Sequence, residues 1–366
     1  MTLIGDGEQE SVVVAGEKLN SWDDLVALGE NFRIHKTVKE SKDELLKKLW
    51  SFEETGATAL GPALLLGIKL AGSRPRSQVI LCTDGLANMG VGSLEGKEAD
   101  HTPIYTECAE QAKLKGVTVS VITLVGTDCN VENLSVVTEQ TGGQVERVDP
   151  LKMAGNLSSL LNTRVLAYGV MAMVCLHRGL QFKGEMADEQ ENRNWLVKDL
   201  ANVTADTECV FRYGFRPKSE FDMSGLSEVP FQVQLLFTRP DGMQYLRVAT
   251  TSIPLTSDRE QAERNADVTV IGNYAAQRAA RYAKQGDYEA AQLEARAAQR
   301  FMLRNEVGTE KVMNWTEKVE SLDNVLRKAQ KKEKEQGIAG LDGEETKKLR
   351  KAHRDDDTAA EISALL

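Results

Sequence analysis

Two short stretches place oxygen-bearing side chains where a loop or strand gives way to a helix. In Gly56-Ala-Thr-Ala-Leu-Gly-Pro, Thr58 stands just ahead of the apolar run Leu60 to Ala71. In Val79-Ile-Leu-Cys-Thr-Asp-Gly-Leu-Ala-Asn-Met-Gly, a β-branched run ends on Thr83-Asp84-Gly85. Hydroxyl and carboxylate oxygens are the donors that hard divalent cations require, and the carboxyl ends of parallel strands are where loops bring such groups together. A plainer role is open to both residues, Thr58 capping the helix that follows and Asp84 shaping a turn. Other chemistry is sparse. His35, His101, His177 and His353 lie far apart, and neither GxSxG nor HExxH occurs. Cys82 lies inside an apolar run, where burial keeps a thiol protonated and inert, and Cys129, at a helix start, has no partner nearby in sequence. Gly90-Val-Gly92 with Gly96 has the look of a nucleotide loop, but Thr-Asp-Gly-Leu-Ala-Asn separates it from the strand it would have to follow directly.

The two oxygen-bearing segments resemble two of the three parts of the metal-ion-dependent adhesion site of von Willebrand factor A (VWA) domains. Gly126-Thr-Asp-Cys-Asn, Asn133-Leu and Thr141-Gly-Gly are similar to that family's next strand end and the helix after it. The resemblance implies that Thr58 is a hydroxyl ligand and Asp84 a carboxylate ligand, directly or through water. It also implies a main contribution from an Asp-x-Ser-x-Ser loop after the first strand, and no such strand or loop stands upstream of Thr58. The expectation is therefore a VWA unit lacking its N-terminal strand, N-terminally truncated, with an incomplete site. Such a site binds Mg²⁺ weakly or not at all unless the missing loop is supplied, and no other cofactor is expected. Asp222-Met-Ser-Gly-Leu-Ser has the letters of the loop but the wrong spacing, within a β-rich region.

The elements that would position these residues follow from periodicity. Residues 1–162 read as one α/β domain: from Gly56 on, apolar strands at Gln78, Val117 and Gln144 alternate with helices, the pattern of a doubly wound, mostly parallel sheet with Val79–Thr83 and Val117–Val125 as its central strands. Ser21 and Ser41 are read as helix N-caps upstream, after a hairpin over residues 2–14. From Val165 to Ser252 strands follow one another without helices, and Arg239-Pro-Asp-Gly supplies a turn, so residues 163–257 read as an antiparallel β-sandwich. Residues 258–330 turn rich in Ala, Gln, Arg and Glu and read as helical, with Tyr274 to Phe301 resembling one tetratricopeptide-like pair. One such pair cannot stack into a solenoid. Residues 331–366 read as a charged, disordered tail.

Composition narrows the functions further. The net charge of −10 opposes binding to phosphate backbones, no apolar run is long enough to span a bilayer, and the start at Met1 lacks the features of a signal peptide. Five scattered cysteines without a CxxC pair suit reduced thiols in the cytoplasm. The order of VWA unit, β-sandwich and helices resembles that of the circularly permuted Ras-like family and, more distantly, of Sec23/Sec24 coat subunits. No GTPase motif occurs in the sequence, so the expected function is a non-enzymatic scaffold or adaptor that binds protein partners. The alternatives are a metal- or nucleotide-dependent α/β enzyme, for which Asp84 and Asp128 are the acids available at the strand ends, and a part of a larger GTPase-linked signalling protein.

Overall fold

The computed structural model describes residues 1–6, 10–51, 56–74, 76–94, 102–183, 193–304, 310–335, 343–352, 354 and 356–365. The chain divides into two units, Met1–Thr163 and Arg164–Leu366.

The first unit opens with β1 (Thr2–Leu3) and β2 (Val12–Val13), a short antiparallel ribbon. Helix α1 (Trp22–Asn31) starts at Ser21, whose hydroxyl accepts the Asp24 amide. Helix α2 (Val38–Trp50) starts in a capping box, the Thr37 hydroxyl accepting from the Glu40 amide while the Glu40 carboxylate accepts from the Thr37 amide. Ser41, read from sequence as the cap, lies a turn inside α2 and donates back to the Thr37 carbonyl at 2.9 Å. There follow α3 (Leu60–Ala71), β3 (Gln78–Thr83), α4 (Thr102–Leu114), β4 (Thr118–Leu124), α5 (Val131–Thr141), β5 (Val145–Val148) and α6 (Met153–Asn162).

The last three of these strands form a parallel sheet in the order β3-β4-β5, with Val79 opposite Val119 and Val121 opposite Val145. On one face Ile80, Ile122 and Val148 pack under Leu157 and Leu160 of α6. On the other face Val79 meets α3 at Gly67. The sheet is thus covered on both sides, as its apolar strands require. One expectation is corrected: only β4 is central. The expected central strand at Val79–Thr83 is an edge, since among the described residues nothing pairs on its far side.

The second unit contains β6 (Val165–Leu176), β7 (Leu180–Phe182), β8 (Trp195–Asp199), β9 (Val203–Thr204), β10 (Tyr213–Phe215), β11 (Glu228–Thr238) and β12 (Gln244–Pro254). The main sheet runs β12-β11-β6-β8, with β9 also on β6, and β10 pairs β7 separately, every pair antiparallel. Between them Val174, Leu176, Leu180, Phe182, Leu196 and Val229 form a buried core. The β11–β12 turn falls where the sequence places it: the Arg239 amide donates to the Met243 carbonyl at 2.9 Å, and Gly242 takes a φ of +83°.

The helices are α7 (Arg259–Arg264), α8 (Val268–Lys284), α9 (Tyr288–Arg304), α10 (Glu310–Glu335), α11 (Gly343–Ala352) and α12 (Asp356–Leu365). Small side chains, among them Ala279, Ala280 and Ala283 of α8 and Ala291 of α9, let α8 and α9 approach closely, and Leu322 and Leu326 of α10 close the cluster. Residues 331–366 are read from sequence as disordered; of these, Gly343–Ala352 and Asp356–Leu365 are helical, and residues 336–342 lie outside the described residues. Ile362 of α12 is buried in this same cluster, while α11 is tied down by Arg350, which donates to both carboxylate oxygens of Glu289 at 2.7 and 2.9 Å, and by Lys347, 2.8 Å from Asp287.

Candidate functional site

At the carboxyl end of the parallel sheet the two segments singled out by sequence come together. The Thr58 amide donates to the Asn88 side-chain carbonyl at 2.6 Å, and the Asn88 amide returns a bond to the Thr58 carbonyl at 3.0 Å. This two-way clasp fixes the loop before α3 against the loop after β3. The Thr58 hydroxyl oxygen consequently lies 3.9 Å from where a side chain on Gly85 would begin, beside the turn that carries Asp84. The turn is held from within by Thr83, whose hydroxyl donates to the Gly85 carbonyl at 3.0 Å. Asp84 is exposed. The helix-cap role for Thr58 is not the one adopted, because Ala59 occupies the N-cap of α3 and no side chain caps it.

The donors here are of the kind Mg²⁺ takes, but one carboxylate and one hydroxyl fall well short of a six-oxygen shell. Among the described residues no three His, Cys, Asp or Glu cluster in a way that could hold a metal. The set present does not fit a resident metal. Asp128, at the next strand end, accepts from the Asn130 amide at 3.4 Å and is spent on the turn into α5, where Asn130 adopts a φ of +53° and caps the helix. Asp222 is likewise spent locally: the Ser224 hydroxyl and amide both donate to it and hold its carboxyl below the ordinary range.

The other sequence candidates resolve into structural roles. Gly90 has a φ of +82°, and a side chain there would strike Pro62 and the Leu19 carbonyl; a side chain on Gly61 would strike the Val91 carbonyl. These glycines let the loop lie directly on the start of α3, which leaves no cradle for phosphate. Gly96, His101 and His353 lie outside the described residues. The His35 amide donates to Asp6, and His177 accepts the Gly179 amide through Nδ1 while packing edge-on against Phe221. Cys129 is buried, 3.4 Å from the Thr127 hydroxyl. Cys108 is buried on α4, which pushes its thiol up to about 12. Cys82 corrects the expectation of a buried thiol: as a residue it is exposed, because it stands on the sheet edge, although the partial burial of its thiol still raises its pKa.

Sequence reading missed two residues of this region. Asn88 makes the clasp, and its only signal was an amide in a loop between two glycine turns. Thr123 stands opposite Thr83 across the sheet, is fully buried, and its hydroxyl has no hydrogen-bond partner among the described residues.

No protein-family model matches the chain. Over 295 residues it is 30% identical to circularly permutated Ras protein 1 of Dictyostelium discoideum, a match covering 80% of this chain and 34% of that protein. The crystal structure of the human COPII-coat protein Sec24c superposes on 90% of the chain, and 46% of its own, with a TM-score of 0.54 and 16% identity, which establishes a shared fold. The chain shares the Sec24c fold, and its first unit has the α/β layering expected of a VWA-type fold. Sec24A of Bos taurus and of Homo sapiens are each 25% identical to the chain over 281 residues, 68% of its length. The chain spans about a third or less of these curated relatives. The Thr58 loop and the Thr83-Asp84-Gly85 strand end both lie in the first unit, and antiparallel strands and then helices follow it in the expected order.

Proposed function

We propose that the chain is a non-enzymatic, cytoplasmic scaffold that binds protein partners. The observation that carries this reading is the outer face of the main sheet in the second unit. Pairing register puts Trp195 and Val197 of β8, Met171 and Met173 of β6, Leu236 of β11, and Leu246 and Val248 of β12 on the face opposite the buried core. Leu246 is 61% and Val248 51% exposed, and Trp195, Val197 and Leu236 are exposed as well. Contiguous apolar surface of this kind marks protein interaction sites. The fold shared with a coat protein supports the same reading, as does the lack of a disulfide among the five cysteines for a reducing compartment. Among the described residues no helix is long and apolar enough to cross a membrane.

The test is to replace Leu246 and Val248 together by aspartate. Both side chains are exposed, so folding should be unaffected to within about 0.5 kcal/mol. Complexes isolated by native affinity purification should lose their partners in the double variant. Partners retained by a folded double variant would overturn the reading.

A second reading, that the chain is a module of a GTPase-linked signalling protein, is supported by the Ras name of a relative of which it covers 34%. Sequencing the transcript beyond both ends of the reading frame tests it; no GTPase motif in either direction would dispose of it.

A further inference from the structure

The corner between α8 and α9 gathers acceptor groups that the two helices leave over. The last turn of α8 ends with the Ala283 and Lys284 carbonyls, Gly286 carries the chain round at a φ of +81°, and Asp287 and Glu289 stand at the start of α9. The carboxyl end of a helix concentrates partial negative charge, so two carboxylates beside it make a strongly acidic corner.

Three basic side chains of the C-terminal region answer these groups one by one. Lys347 lies 2.8 Å from Asp287. Arg350 donates to both carboxylate oxygens of Glu289 at 2.7 and 2.9 Å and to the Gly286 carbonyl at 3.4 Å, and its guanidinium lies 5.0 Å from the centre of the Tyr288 ring. Arg354 donates to the Ala283 and Lys284 carbonyls at 2.8 and 2.7 Å. Spacings of three and four residues are those of one helix face. The corner also admits a helix backbone, since a side chain on Gly286 would begin 2.3 Å from the Lys347 carbonyl. Charge rather than burial holds α11 there. No described residue of α11 is fully buried, whereas Thr358, Ala359, Ala360 and Ile362 of α12 are. Between Gly343 and Arg354 stand five Lys and Arg against two Glu, in a chain whose net charge is −10. Ion pairs with access to water are individually weak, so α11 can leave the corner while α12 keeps its place.

We propose that the α8–α9 corner is a recognition site for a basic helix of a protein partner, carrying Lys or Arg at positions i, i+3 and i+7, and that α11 is the occupant in cis which such a partner displaces. Attachment through α12 keeps α11 at a high local concentration, which closes the corner to weak competitors. A partner must therefore present the same three cations on one face, and Gly286 lets its backbone approach. The site lies on the helices, and its failure would leave the reading of the sheet face around Leu246 as it stands.

The probe is a labelled peptide with the sequence of residues 343–354. Fluorescence anisotropy should show it binding saturably to the full chain carrying Lys347→Glu/Arg350→Glu/Arg354→Glu, and about tenfold more weakly to the unaltered chain, whose own α11 competes. Adding Asp287→Asn/Glu289→Gln to the opened chain should abolish binding, as should glutamates in place of the three cations of the peptide. Hydrogen exchange across Asp356–Leu365 checks that α12 stays docked in the opened chain. Arg350→Ala, a milder opening, should raise binding in the same direction and takes the place of the triple variant if that does not fold. No binding by a folded opened chain, equal binding by the opened and unaltered chains, or binding that survives the loss of both carboxylates would each overturn the proposal.

Discussion

A magnesium ion at the Thr58–Asp84 loops would keep most of its water, since among the described residues no group of three His, Cys, Asp or Glu gathers there. Titration calorimetry with Mg²⁺ is accordingly expected to show no saturable binding in the micromolar range. A micromolar dissociation constant abolished by Asp84→Ala would mean that the loops gather more donors than these two. Thr123 leads to a prediction of opposite sign. Its hydroxyl is buried with no hydrogen-bond partner among the described residues, so Thr123→Val removes a polar group already cut off from water and should stabilise the first unit by about 1 kcal/mol, read from the midpoint of urea unfolding. Thr58 and Asp84 were legible in the sequence because each sits beside glycine at an abrupt change of periodicity. Asn88 and Thr123 were not, because the partner of one lies thirty residues upstream and the other matters through a partner it lacks. Cys82 was misread because an apolar run says that a strand is buried without saying that a neighbour exists to bury it.

Helices show the same division between local and distant causes. The start of α2 is set by Thr37 and Glu40, three residues apart, and Thr37→Ala should cost about 1 kcal/mol of stability. Circular dichroism melting checks this, and an unchanged melt would show that tertiary packing alone fixes the helix. Sequence reading missed that cap by one turn because Ser41 is also a good capping residue. The C-terminal helices were missed for a stronger reason: what docks α11 is a pair of ion contacts to Asp287 and Glu289, residues far back in the chain. A charge-rich segment without a nearby partner reads as solvated. The Arg350 guanidinium holds the Glu289 carboxyl below its ordinary pKa, so that contribution is present above the ordinary glutamate range and is lost as pH falls through the lowered value. Protection factors across Gly343–Ala352, taken against the intrinsic exchange rate at each pH, should therefore fall on acidification, and at neutral pH in Arg350→Ala; pH-independent protection would place the docking energy elsewhere. The β11–β12 hairpin, by contrast, was plain from sequence, since Pro240 and Gly242 specify the turn between two alternating runs.

For the molecule as a whole, a net charge of −10 keeps copies apart at neutral pH despite the apolar face around Leu246. As the pH approaches the sequence isoelectric point near 5.2, that repulsion vanishes, and light scattering should report association that the aspartate substitutions at Leu246 and Val248 suppress. Association equal in both proteins would assign it to another surface. The succession of α/β unit, sandwich and helices was readable because each has its own period of apolar residues. The edge position of β3 was not, because strand order depends on which neighbours arrive. The long pairing of β6 with β11 also sets an order in time. On the ribosome β6 emerges with only β8 and β9 soon to follow, and its principal partner is made later, a wait on the order of seconds at ordinary rates of synthesis. Through that interval the nascent chain exposes Val174 and Leu176, destined for the core, with one flank of β6 still unpaired, so the yield of folded protein depends on how the cell shelters this strand before its partner exists.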